Sequence, residues 1–219
     1  VIRARRMRFC VIDGMMPFEL QPADWPSYAE AGRLFRKADN RIQAYFYFRQ
    51  YAEQCPACPD AAELRQWCKN EELANPAVDA QYRSFLLFQQ GLAAFQGGSF
   101  AEALRLLDQA QAIYGEFPQL HFYRGQALEE LNRRGEALYA YKEAIKRQPA
   151  NAEYWFFLGK ALDAETMREQ AAVCFRKTLE VDPEDRFGYA QRARKMLQSY
   201  MDQGIIKQDS VLDKEPRQP

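Results

Sequence analysis

Two cysteines three positions apart, in the run Cys55-Pro56-Ala57-Cys58, are the strongest local chemical signal in this chain. That spacing brings two sulfurs close enough for a disulfide or a shared metal ion, and it can lower a thiol pKa. Cys68 could supply a third zinc ligand, but no second cysteine pair follows, and the single histidine, His121, lies far along the chain. Thioredoxin-like chemistry needs a neighbouring strand–helix–strand pattern, and none stands beside the pair. A thiol-redox or metal-binding role for Cys55, Cys58 and Cys68 is therefore the alternative reading. Two ordinary thiols at a turn are the simpler one.

Other chemistry finds little support. No serine sits in a nucleophile-elbow pattern, and Gly97-Gly98 lacks the lysine and hydroxyl residue of a phosphate loop. The adjacent acids Glu71-Glu72 and Glu129-Glu130 point in different directions on a helix, as solvated faces do. His121 falls in a slot that holds large packing residues elsewhere. The sequence assigns no catalytic residue and no cofactor.

The elements that would carry these groups follow a fixed period. Gly91, Gly125 and Gly159 stand 34 residues apart. Twelve positions after each comes Ala103, Ala137 or Ala171, and four further on Leu107, Tyr141 or Phe175. Gly115, Pro149 and Pro183 close the three units. Small residues let two antiparallel helices approach, the bulky ones fill the space beside them, and a proline can end the second helix. Gly32 is followed at the same offsets by Ala44, Phe48 and Pro56, which reads as a degenerate fourth copy placed 59 residues before Gly91, with an unrelated helical pair at 25–58 as the alternative. Ser99…Glu102 and Thr166…Glu169 read as capping boxes, and Asn75-Pro76 as the opening of a helix to about Gln96.

With Trp155, Leu158, Gly159, Leu162, Ala171, Phe175 and Pro183, the third unit resembles the tetratricopeptide repeat. The resemblance implies an all-α chain: a right-handed α-solenoid of helix-turn-helix repeats over 24–206. Repeats are expected at 25–58, 84–117, 118–151 and 152–185, with an inserted helix at 60–73 carrying Leu64, Trp67 and Cys68 on one side. A capping helix at 187–203 buries Tyr189, Ala193, Met196, Leu197 and Tyr200. Residues 1–23 form an irregular arm and 207–219 a polar tail expected to be disordered.

In such arrays the first helix of each repeat lines a concave groove that binds peptide segments. On this chain the resemblance points to Phe85, Phe88, Leu92 and Phe95, then Phe122, Gln126 and Glu129, then Phe156, Lys160 and Asp163. The groove is either open, with an aromatic spine, or filled from within. Repeat proteins that grip chaperone tails use lysine, asparagine and arginine in slots where this chain has Phe88, Leu92, Tyr123, Glu153 and Phe157, so a tail adaptor of that kind is not expected. The function implied is a protein-interaction module (adaptor, scaffold, or assembly or secretion chaperone) holding an apolar or aromatic-bearing segment.

Composition fits a soluble core-forming chain, with 47% hydrophobic and 27% charged residues, and thirty acids balance thirty Lys plus Arg. A zero net charge gives no case for nucleic acid as a partner. Arg3, Arg5, Arg6 and Arg8 form a basic cluster that can touch an anionic membrane surface. No stretch approaches the ~20 apolar residues of a membrane span. Five cysteines without a framework pattern favour a reducing, cytoplasmic location. Self-association through the apolar end of the groove is a further expectation.

Overall fold

The computed structural model describes residues 25–207, which form ten α-helices and, among the described residues, no strand. They are α1 Trp25–Lys37, α2 Arg41–Gln54, α3 Ala61–Ala74, α4 Ala77–Gln96, α5 Phe100–Ile113, α6 Pro118–Glu130, α7 Arg134–Arg147, α8 Ala152–Ala164, α9 Arg168–Val181 and α10 Tyr189–Asp202. The basic cluster at Arg3–Arg8, Cys10 and the expected tail from 208 onward lie outside the described residues. The chain divides into two compact units, Val1–Tyr82 and Arg83–Pro219, with the boundary inside α4.

Four helix ends that lead directly into the next helix share one turn, which recurs at Gly204 after α10. Asp39, Gly98, Asn132 and Thr166 all take left-handed backbone, at φ 59°, 75°, 58° and 62°. After each, the next amide bonds back to the carbonyl five residues earlier: Asn40 to Phe35, Ser99 to Ala94, Arg133 to Leu128 and Met167 to Leu162. This closure satisfies carbonyls left over at a helix end. It also corrects the second capping box. Thr166 ends α8, and Met167 is the residue at the start of α9, with no side-chain cap. Ser99 does precede α5, but its hydroxyl makes no capping bond.

In the first unit α2 packs against α1 and α3. Six consecutive α2 residues, Gln43 to Phe48, are buried, so this helix is covered all round rather than amphipathic. Gly32 faces Phe48, as expected of the degenerate copy, and Trp67 meets the same ring edge-on at 5.1 Å. Ion pairs Arg33–Asp60, Arg41–Glu71 and Arg49–Glu72 tie α1 and α2 to α3.

In the second unit neighbouring helices from α5 to α10 pack in chain order, and α10 also touches α8. Leu107, Tyr141 and Phe175 are fully buried and lie against Gly91, Gly125 and Gly159. Ala190, Ala193, Leu197 and Tyr200 of α10 are buried, which closes the stack at its end.

Candidate functional site

The first helices of the three regular repeats, α4, α6 and α8, carry the expected groove residues. Phe85 and Phe88 are 1% exposed, Phe122 3% and Phe156 5%, so all four are packing residues beneath the surface. Leu92, Phe95, Gln126, Glu129 and Asp163 are half-buried, and Lys160 is exposed. Of the aromatic spine, only Phe95 keeps open surface.

Other rings complete the surface. Tyr123 stands 5.9 Å from Phe95 and 6.0 Å from Phe88. Phe157 meets Phe122 at 5.1 Å, and Tyr189 of α10 meets Phe156 at 5.5 Å and Phe157 at 6.2 Å. Phe95, Tyr123, Phe157 and Tyr189 are all half-buried and form a row from α4 across α6 and α8 to α10. Tyr123 and Phe157 occupy one slot a period apart, a signal present in the sequence. Tyr189 reaches the row only through folding.

Carboxylates line this row, two of them gripped by tyrosine hydroxyls. Tyr141 donates to Glu129, and Tyr189 donates to Glu153. Burial raises the pKa of both phenols, and the carboxylates push in the same direction. Tyr123 and Tyr154 are raised too, first by burial and then by the nearby Glu153. Asp163 faces Arg168 at 3.6 Å and adds to the raised pKa of buried Tyr200. Lys160 lies 5.2 Å above the Phe157 ring, and the Arg192 guanidinium 5.9 Å above Tyr189.

His121 is 3% exposed, with Nε2 2.6 Å from the Gly115 carbonyl oxygen. One period later Trp155 Nε1 donates to the Pro149 carbonyl at 2.8 Å. The two side chains make the same contact in consecutive repeats, so His121 is a structural pin.

Cys55 and Cys58 form a disulfide in the turn between α2 and α3, with Cα atoms 5.5 Å apart. Cys68 is buried in α3 against the Tyr45 carbonyl, and burial pushes its thiol up to about 12. The structure does not gather it with the pair: no group of three metal-capable side chains occurs among the described residues. No described helix is long and apolar enough to cross a membrane.

Residues 118–151 and 152–185 each match the tetratricopeptide repeat family. The solved structure of MamA is similar with a TM-score of 0.51 at 17% identity, covering 83% of this chain and 86% of MamA. The Yersinia enterocolitica type III secretion chaperone SycD, solved with a peptide of the translocator YopD, matches at TM-score 0.51 and 13% identity, over 54% of this chain and 92% of SycD. The first repeat domain of Spaghetti, bound to an HSP90 peptide, matches at TM-score 0.50 and 21% identity, over 54% of this chain and 94% of that domain. No curated protein matches the sequence significantly.

Proposed function

We propose, from the premise that this chain is a tetratricopeptide-repeat protein, that it is a non-enzymatic interaction module holding a partner's segment along the first helices of its second unit. One observation carries this reading: the half-buried row Phe95, Tyr123, Phe157 and Tyr189 crosses consecutive repeats with part of each ring open to solvent. Rings spaced this way offer apolar area at low entropic cost. Leu92, Gln126 and Lys160, on the same three helices and not fully buried, would meet the segment first, while the buried Phe85, Phe88, Phe122 and Phe156 hold the helices in place. Repeat domains of this fold have been solved with peptides bound, SycD and Spaghetti among them, which supports the same use here. The role is that of an adaptor, scaffold or assembly chaperone.

The test is selection of a random twelve-residue display library on the purified chain. Selected peptides should lose about tenfold in affinity on a Leu92→Ala, Gln126→Ala, Lys160→Ala triple variant, the scale of removing ~1.4 kcal/mol of interface contact. Undiminished binding by a folded triple variant would put the ligand elsewhere.

The alternative thiol reading is favoured by the Cys55–Cys58 disulfide alone. That bond lies in a helix-joining turn, where it constrains the chain. Thiol labelling, argued below, separates constraint from exchange.

A further inference from the structure

We propose that the ring row of the second unit selects a cationic side chain, so that the segment held there carries an arginine or lysine beside its apolar residues. This rests on the groove reading above and names the chemistry of its partner.

Three observations converge. Glu153 opens α8 on the same face as the rings: it accepts the Tyr189 hydroxyl from α10 and lies near Tyr123 and Tyr154. Several other carboxylates of this unit have a cation of their own, Asp108 with Arg124, Glu143 with Arg147 and Asp163 with Arg168 among them, while Glu129 is held by the Tyr141 hydroxyl. Glu153 forms no ion pair among the described residues, although it is half-buried. A half-buried carboxylate without a counter-ion is costly, and one neutral hydroxyl fills only part of its acceptor capacity.

The second observation is the wall around it. Aromatic faces are negative, so rings beside a carboxylate favour a cation and disfavour an anion. The third is that two cations of the chain already lie over rings of this row, Lys160 over Phe157 and Arg192 over Tyr189. These show that the faces are reachable by long basic side chains. An incoming arginine or lysine gains the charge of Glu153 and the ring of Tyr123 near it, while Lys160 and Arg192 already lie over Phe157 and Tyr189. An acidic segment gains neither.

The experiment uses the full chain and the same twelve-residue library, followed by one selected peptide and its twin with citrulline in place of arginine. Citrulline keeps the shape and removes the charge. Basic residues should be enriched several-fold at one position, and the citrulline twin should bind the wild-type chain about tenfold more weakly. On Glu153→Gln, which keeps an acceptor for Tyr189, the two peptides should bind alike. Equal binding of both twins to the wild-type chain, or enrichment of apolar or acidic peptides without a basic residue, overturns the cation while leaving the groove standing. Peptides insensitive to the triple variant overturn the groove and this inference together. The citrulline comparison needs no variant, so an unfolded Glu153→Gln does not spoil it.

Discussion

Gly159 lies flat against the ring of Phe175: a Cβ added there would sit 2.6 Å from Phe175 Cε1. The same approach recurs between Gly125 and Tyr141 at 2.7 Å, and between Gly32 and Phe48 at 2.5 Å. Fully buried rings cannot swing away. Gly159→Ala should therefore lower the urea midpoint of the second unit, at a net cost of about 1–3 kcal/mol, despite the better helix propensity of alanine. Gly135→Ala, in open space at the start of α7, should be neutral or stabilise by up to ~1 kcal/mol.

This pairing was legible because its offset is constant. Each glycine and its bulky partner are sixteen residues apart in all four copies, a ring in three of them and Leu107 after Gly91. What escaped were features where sequence spacing is ambiguous or distant. A hydroxyl three residues before Glu169 looks like a helix start, yet the turn is so short that Thr166 serves to end α8. Periodicity placed Phe122 and Phe156 on the inner helices, but it could not say what covers them. Phe157 and Tyr189 do, and Tyr189 arrives from α10, 36 residues after the Glu153 it touches.

Thr166 offers a second test. It is β-branched and left-handed at φ 62°, in the slot where Gly98 sits at φ 75°. Only glycine takes this backbone without steric cost. Thr166→Gly should raise the stability of the second unit by about 1 kcal/mol, and Gly98→Thr should lower it by a similar amount. Thermal melts followed by circular dichroism would show both.

The disulfide predicts a labelling pattern. Before reduction neither Cys55 nor Cys58 should take up iodoacetamide at pH 7.5, and after dithiothreitol both should. Cys68 and Cys174 should stay unlabelled in the folded protein either way, since burial pushes their thiols up to about 12 and about 11. Closing so short a loop constrains the unfolded chain by at most about 2 kcal/mol, so reduction should loosen the α2–α3 turn without unfolding the first unit. Hydrogen exchange resolved by peptide would report it. Rapid alkylation before any reductant would mean that the thiols are free.

His121 should make the second unit acid-sensitive. Burial lowers its pKa below the ordinary 6.5, opposed by the Gly115 carbonyl and helped by Arg147 and Arg124. As pH falls through about 6.5 the unfolded chain binds a proton that the folded ring resists, so stability falls with it until the folded ring titrates. The slope cannot exceed ~1.4 kcal/mol per pH unit for one group. Urea midpoints at pH 7.5 and 5.5 should diverge in the wild-type chain and diverge less in His121→Gln. Equal divergence in both would assign the effect to other groups.

The placement of the inner phenylalanines separates packing from contact. Phe122 touches Tyr123, Tyr141, Tyr154 and Phe157 and is almost wholly covered. Truncating it removes ring contacts to α7 and α8 together. Phe122→Ala should cost about 3–5 kcal/mol and broaden or abolish the melt of the second unit. Lys160→Ala, at an exposed position over Phe157, should leave the melt within about 0.5 kcal/mol of wild type. Loss of peptide binding in Phe122→Ala would then report lost architecture, whereas loss in Lys160→Ala would report a lost contact. A cooperative, wild-type melt for Phe122→Ala would mean that this ring is free to leave the core and meet a ligand itself.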